Sequence, residues 1–111
     1  MKKHVLVISS SPRKGGKGYY MPDKPRFAVS LMCMDFLRIE QQLRAIDPLA
    51  DMLHADVMDG HYCKNLTLSP DLIRVFKSVS KLPLDAHLMV EKPNDWILER
   101  VAEAGADFIS P

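Results

Sequence analysis

Short apolar runs and stretches of helical periodicity take turns along this chain, and that alternation limits the folds open to it. "RFAVSLM" (26–32), "MLHADVM" (52–58), "LDAHLMV" (84–90) and "DFIS" (107–110) carry the apolar or alternating pattern of strands with at least one buried face. Between the first two, Phe36, Ile39, Leu43 and Ile46 are spaced three, four and three residues apart, one face of a helix that Pro48 ends. Ser69 is placed to cap a second helix with Pro70 at its first position and Leu72, Val75, Phe76 and Val79 on its apolar face. A third stripe, Ile97, Leu98, Val101 and Ala104, runs up to Gly105, which suits a left-handed helix end. Strands alternating with helices in this way predict right-handed βαβ units, a parallel sheet and an α/β fold. "VLVIS" (5–9) adds an N-terminal strand whose place in the sheet the pattern leaves open. It leads into the glycine-rich "SSPRKGGKG" and the linker-like "YYMPDKP", so the chain divides into residues 1–25 and a unit from 26 to 111.

Composition narrows the class further. With 111 residues, 47% of them hydrophobic, and a net charge of +1, the chain has material for one small domain and lacks the charge of a nucleic-acid arm or a disordered tail. "MKKHVLVISS" has a basic flank, but its apolar run is short for a signal peptide, and no run approaches the ~20 residues of a membrane span. Cys33 and Cys63 lack CxxC spacing and read as reduced thiols. A cytoplasmic protein without nucleic-acid or membrane partners is expected.

Residues two apart in a strand share a face. His54, Asp56 and Met58 therefore point one way while Leu53, Ala55 and Val57 point the other, and Asp85, His87 and Met89 share a face on the next strand. Adjacent strands lie about 4.8 Å apart, so His54, Asp56 and His87 can converge. Two imidazoles and a carboxylate are a partial ligand set for zinc, iron or manganese. On spacing alone, the same residues also read as hydrogen-bonded core or loop groups. Gly60 permits a tight turn and His61 reads as solvated. Met32, Met34, Met58 and Met89 form either a soft wall beside a ligand or core filling. "SSSPRKGGKG" offers backbone amides and Arg13 to a phosphate, or is a flexible connection, since it lacks the established phosphate-loop patterns.

From about Arg26 onward, "SLMCMDF", "LHADVMDGHYCKNLTLSP", "LDAHLMVEKP" and "AGADFIS" resemble the N-terminal half of ribulose-phosphate 3-epimerases. "SLMCMD" and "NLTLSP" are most similar to the allulose-6-phosphate 3-epimerase branch. The resemblance implies an incomplete (β/α)8 TIM-type barrel of about four βα strands plus the N-terminal strand. It also implies a divalent metal (Zn, Fe, Mn or Co) and inversion at C3 of ribulose 5-phosphate or allulose 6-phosphate. By the same resemblance His54, Asp56 and His87 are metal ligands and Asp56 is also one of two acid/base aspartates. Ser30, His87, Met58 and Met89 then contact the substrate. The family's second aspartate and its phosphate loops belong to late strands outside the matched stretch, so the chain alone is expected to be weak or inactive and to self-associate through open sheet edges.

"HVLVISSSPRKGG" resembles the start of flavodoxin-like NADPH-dependent FMN reductases over about the first 16 residues. Lys17-Gly18 replaces that family's Asn-Ser and no flavin-ring loops follow, so FMN is not expected. A flavin- or phosphate-binding module and a non-catalytic fragment stand as the alternative functions.

Overall fold

The computed structural model describes residues 6–7 and 26–111. Within them, one parallel sheet is built from β1 (Leu6–Val7), β2 (Ala28–Ser30), β3 (Met52–Met58), β4 (Leu84–Met89) and β5 (Phe108–Ser110). Helices α1 (Ile39–Ile46), α2 (Pro70–Val79) and α3 (Asp95–Ala104) connect β2 to β3, β3 to β4 and β4 to β5. The spatial order is β1-β5-β4-β3-β2, so β2 to β5 lie side by side in chain order. Successive parallel strands, each joined to the next by one helix, form part of a (β/α)8 barrel. β1 breaks the sequence order: it pairs with β5 at the far edge, Leu6 opposite Phe108 and Val7 opposite Ile109. The glycine-rich loop, Arg13 and the linker lie outside the described residues. Among the described residues the sheet is open, with β2 and β1 at its edges.

Local chemistry sets the helix ends. Ser69 Oγ accepts from Leu72 N at 3.4 Å ahead of Pro70, and Asn94 Oδ1 accepts from Ile97 N at 3.1 Å. Gly105 closes α3 with φ +113°, and its N–H donates to Ala102 O at 3.1 Å. Asp35 caps a 3-10 turn, Phe36–Arg38, that leads into α1. Because a 3-10 turn has about three residues per turn, Phe36 swings off the face expected for it and is 49% exposed, while Leu43 is wholly buried.

One face of the sheet is apolar and buried. Leu53, Ala55 and Val57 of β3, with Leu84, Ala86 and Leu88 of β4, form one core with Leu43, Ile73, Phe76 and Val101 of the helices. The face expected for α2 is rotated. Val75 is 44% exposed and Ile73 is fully buried beside Phe76. Its neighbours decide this: α2 packs between α1 and α3, and the sheet side of the helix runs through Ile73, Phe76 and the buried Ser80 that follows it. Leu72 and Val79 pack only partly against the core.

Strand edges shift slightly from expectation, since the ladder of the first barrel-type strand covers only Ala28–Ser30. Leu31 nevertheless stays wholly buried and its N–H donates to His54 O. Both cysteines are free thiols, and among the described residues no helix is long and apolar enough to cross a membrane.

Candidate active site

The opposite face of the sheet is polar. Alternation along β3 and β4 turns His54, Asp56, Asp85 and His87 away from the apolar core, and ladder register pairs His54 with Asp85 and Asp56 with His87. Ser30 of β2 stands opposite His54, and Ser110 of β5 opposite His87. Asp56 is the centre of the cluster. Its Oδ1 lies 3.1 Å from His54 Nε2 and 3.0 Å from His87 Nδ1, and its Oδ2 accepts from Ser30 Oγ at 3.4 Å. Only 9% of Asp56 is exposed, whereas both imidazoles are half-buried and Ser30 is exposed. The imidazole centroids are 5.3 Å apart with the rings tilted by 44°. Met58 and Met89 are register partners on the same face, both half-buried, and Cys63 Sγ donates to Met58 Sδ at 3.2 Å.

Two groups beyond the expected set join the cluster. Asp85 Oδ2 lies 3.0 Å from His54 Nδ1, and Ser110 Oγ donates to Asp85 Oδ1 and Oδ2 at 3.0 and 3.1 Å. The signal for Asp85 was present in the Asp-x-His spacing of "LDAHLMV", the mirror of His-x-Asp on the preceding strand. Ser110 carried no such signal, because its role comes from the neighbour it meets across the sheet. The hydrogen bond to Asp85 raises the His54 pKa against the lowering effect of burial, and the charges of Asp56 and Asp85 add to it. Burial pushes Asp85 upward, but the hydrogen bonds from His54 and Ser110 and the nearby imidazoles together hold it below the ordinary carboxylate value.

The loop after β3 is braced by Asp59, whose carboxylate accepts from His61 N, Tyr62 N and, across to the loop after β4, Glu91 N at 2.8, 2.9 and 2.8 Å. Gly60 has φ +75°, the turn conformation its sequence suggested, and His61 is exposed. Met32 is also exposed, while Met34 packs partly against the core.

As a donor set, His54, Asp56 and His87 suit a divalent cation. One ligand atom from each can be chosen so that all lie within 4.8 Å of one another. Two imidazole nitrogens and a carboxylate oxygen match the preferences of zinc, iron, manganese or cobalt, and three ligands on rigid strands leave positions for water or a substrate oxygen.

Residues 26–111 match the family model described as the ribulose-phosphate 3 epimerase family. The chain is 45% identical over 85 residues to ribulose-phosphate 3-epimerase of Buchnera aphidicola subsp. Schizaphis graminum, covering 75% of this chain and 37% of that protein. It is 38% identical over 86 residues to the Bacillus subtilis enzyme of that name, covering 77% of this chain and 39% of the relative. With ribulose-phosphate 3-epimerase 2 of Cupriavidus necator it shares 42% identity over 86 residues, 77% of this chain and 35% of the relative. The chain thus spans between a third and two fifths of these curated relatives. A parallel βαβ sheet and a match that runs through every described residue from Arg26 onward lead to one conclusion: the chain belongs to the ribulose-phosphate 3-epimerase family.

Proposed function

We propose that this chain carries the metal-binding and one of the acid–base elements of a ketose-phosphate 3-epimerase acting on ribulose 5-phosphate or allulose 6-phosphate. The observation that carries the reading is the buried Asp56 carboxylate held between His54 and His87 on adjacent strands. When bound at His54, Asp56 and His87, a divalent cation supplies Lewis-acid stabilisation of the negative charge that develops on the substrate oxygens.

The chain's own groups account for proton removal. Asp56 takes the C3 proton in this reading, and Ser30, whose Oγ donates to Asp56 Oδ2 at 3.4 Å, orients the carboxylate and the substrate; that hydrogen bond supports both roles. Met58 and Met89 give the site a soft wall of low polarity. Inversion at C3 also needs an acid on the opposite side of the substrate. Among the described residues, both carboxylates of the site, Asp56 and Asp85, belong to one sheet face, so these residues account for proton removal and leave its return to a group outside them. The two free thiols support a cytoplasmic setting, and the edges β2 and β1, open among the described residues, support self-association.

Turnover of both sugar phosphates by the 111-residue chain with added divalent metal tests the proposal. Metal-dependent exchange of the C3 proton with solvent that Asp56→Asn abolishes is expected. Exchange indifferent to that substitution, or absent with every metal and both substrates, rejects it.

A further inference from the structure

On the metal reading just given, we propose that Asp85, held by Ser110, is a positioning residue that fixes the tautomer and tilt of His54, so that His54 presents Nε2 to the cation site. The contacts run across three strands. Ser110 Oγ on β5 donates to both oxygens of Asp85 on β4, Asp85 Oδ2 meets His54 Nδ1 on β3 at 3.0 Å, and His54 Nε2 faces Asp56 Oδ1 at 3.1 Å. Asp85 and His54 are register partners, so the backbone ladder itself sets their separation.

A neutral imidazole whose Nδ1 faces a carboxylate keeps its proton there and leaves the Nε2 lone pair free for a cation. The geometry is asymmetric in a useful way. Asp56 reaches His54 at Nε2 but His87 at Nδ1, so the two histidines enter the same carboxylate oxygen through different nitrogens, and His54 has its second nitrogen pinned from behind. Asp85 is largely shielded, with 15% of its side chain exposed, so water competes poorly for the bond. The Ser110 hydroxyl, bridging both carboxylate oxygens, stops the carboxylate from turning away from the ring.

The test uses the full 111-residue chain, zinc as the probe, and two readouts: zinc affinity by competition with a chelating dye, and the side-chain nitrogen shifts of His54 in the zinc-loaded and metal-free chain. Asp85→Asn is expected to weaken zinc binding about 10- to 100-fold, the usual cost of removing such a partner, and to let both His54 tautomers populate in the metal-free chain. Ser110→Ala is expected to move both readouts in the same direction by less, and Ser110→Thr to restore them. Ser110→Ala also serves if Asp85→Asn does not fold. Unchanged zinc affinity and His54 shifts in a folded Asp85→Asn or Ser110→Ala chain, or zinc carried by His54 Nδ1, overturn the inference. His87→Ala separates the two levels. If it leaves zinc affinity unchanged, or the wild-type chain binds none, the metal reading has failed and the inference falls with it; if His87→Ala weakens binding and Asp85→Asn does not, only the inference has failed.

Discussion

Asp56 and His87 face each other across β3 and β4, with Asp56 Oδ1 3.0 Å from His87 Nδ1. The same oxygen meets His54, so one buried carboxylate is shared by two imidazoles, and a cation held by these three residues would take the place of both contacts. Chelation is therefore expected to stop C3 proton exchange and to be reversed by added divalent metal. Double substitution His54→Ala with His87→Ala is expected to abolish that rescue. Full exchange in the presence of excess chelator would refute the assignment.

In deuterated water, solvent exchange at C3 is expected to outrun net epimerisation by the 111-residue chain. On the proposed reading Asp56 would remove the proton from one side, and a positioned acid on the other side is commonly worth a factor of about 10² to 10⁴. Nuclear magnetic resonance of the sugar reads both rates in one sample. Epimerisation keeping pace with exchange would place a second acid opposite Asp56.

Asp59, in the loop after β3, gives a pH prediction. The N–H of Glu91, and with it those of His61 and Tyr62, lowers its carboxyl pKa from 3.8 to about 2. A pKa lowered by folding contributes stability that is present above 3.8 and lost as the pH falls through about 2. The Asp59 carboxyl carbon shift is expected to stay in its ionised position as the pH drops past 3.8, and Asp59→Ala to release the Tyr62 amide signal. A midpoint at the ordinary value would mean that the brace between the two loops does not form.

At Gly105, φ is +113° and an added Cβ would meet Lys77 Cγ at 3.2 Å. Lys77 has little room to yield, since its Nζ donates to Leu82 O and Asp107 Oδ2, both at 2.9 Å. Gly105→Ala is expected to cost about 1 to 3 kcal/mol, measured by urea unfolding. A loss below a few tenths of that range would show that the left-handed cap relaxes.

Rotation of α2 is checked by a pair of truncations. Phe76→Ala, at a wholly buried site, is expected to cost about 3 to 5 kcal/mol, and Val75→Ala, 44% exposed, to stay within about 0.5 kcal/mol. Comparable losses at both positions would restore the face that periodicity alone suggested.

The sequence by itself determined the order of the elements and, along the strands, the facing of the side chains. Alternation in "MLHADVM" and "LDAHLMV" put His54, Asp56 and His87 on one side, and Ser69, Pro70 and Gly105 marked helix ends, because these effects act between residues within a turn or two of each other. Tertiary structure decided the rest. Which strand β1 joins, which side of α2 meets the sheet, and the register that sets His54 against Asp85 and Ser110 against His87 all depend on residues far apart in the chain. A backbone ladder is satisfied by any strand of suitable shape, so the choice of partner and register falls to packing of the whole core, where Phe76 and Ile73 displace Val75, and not to any local pattern.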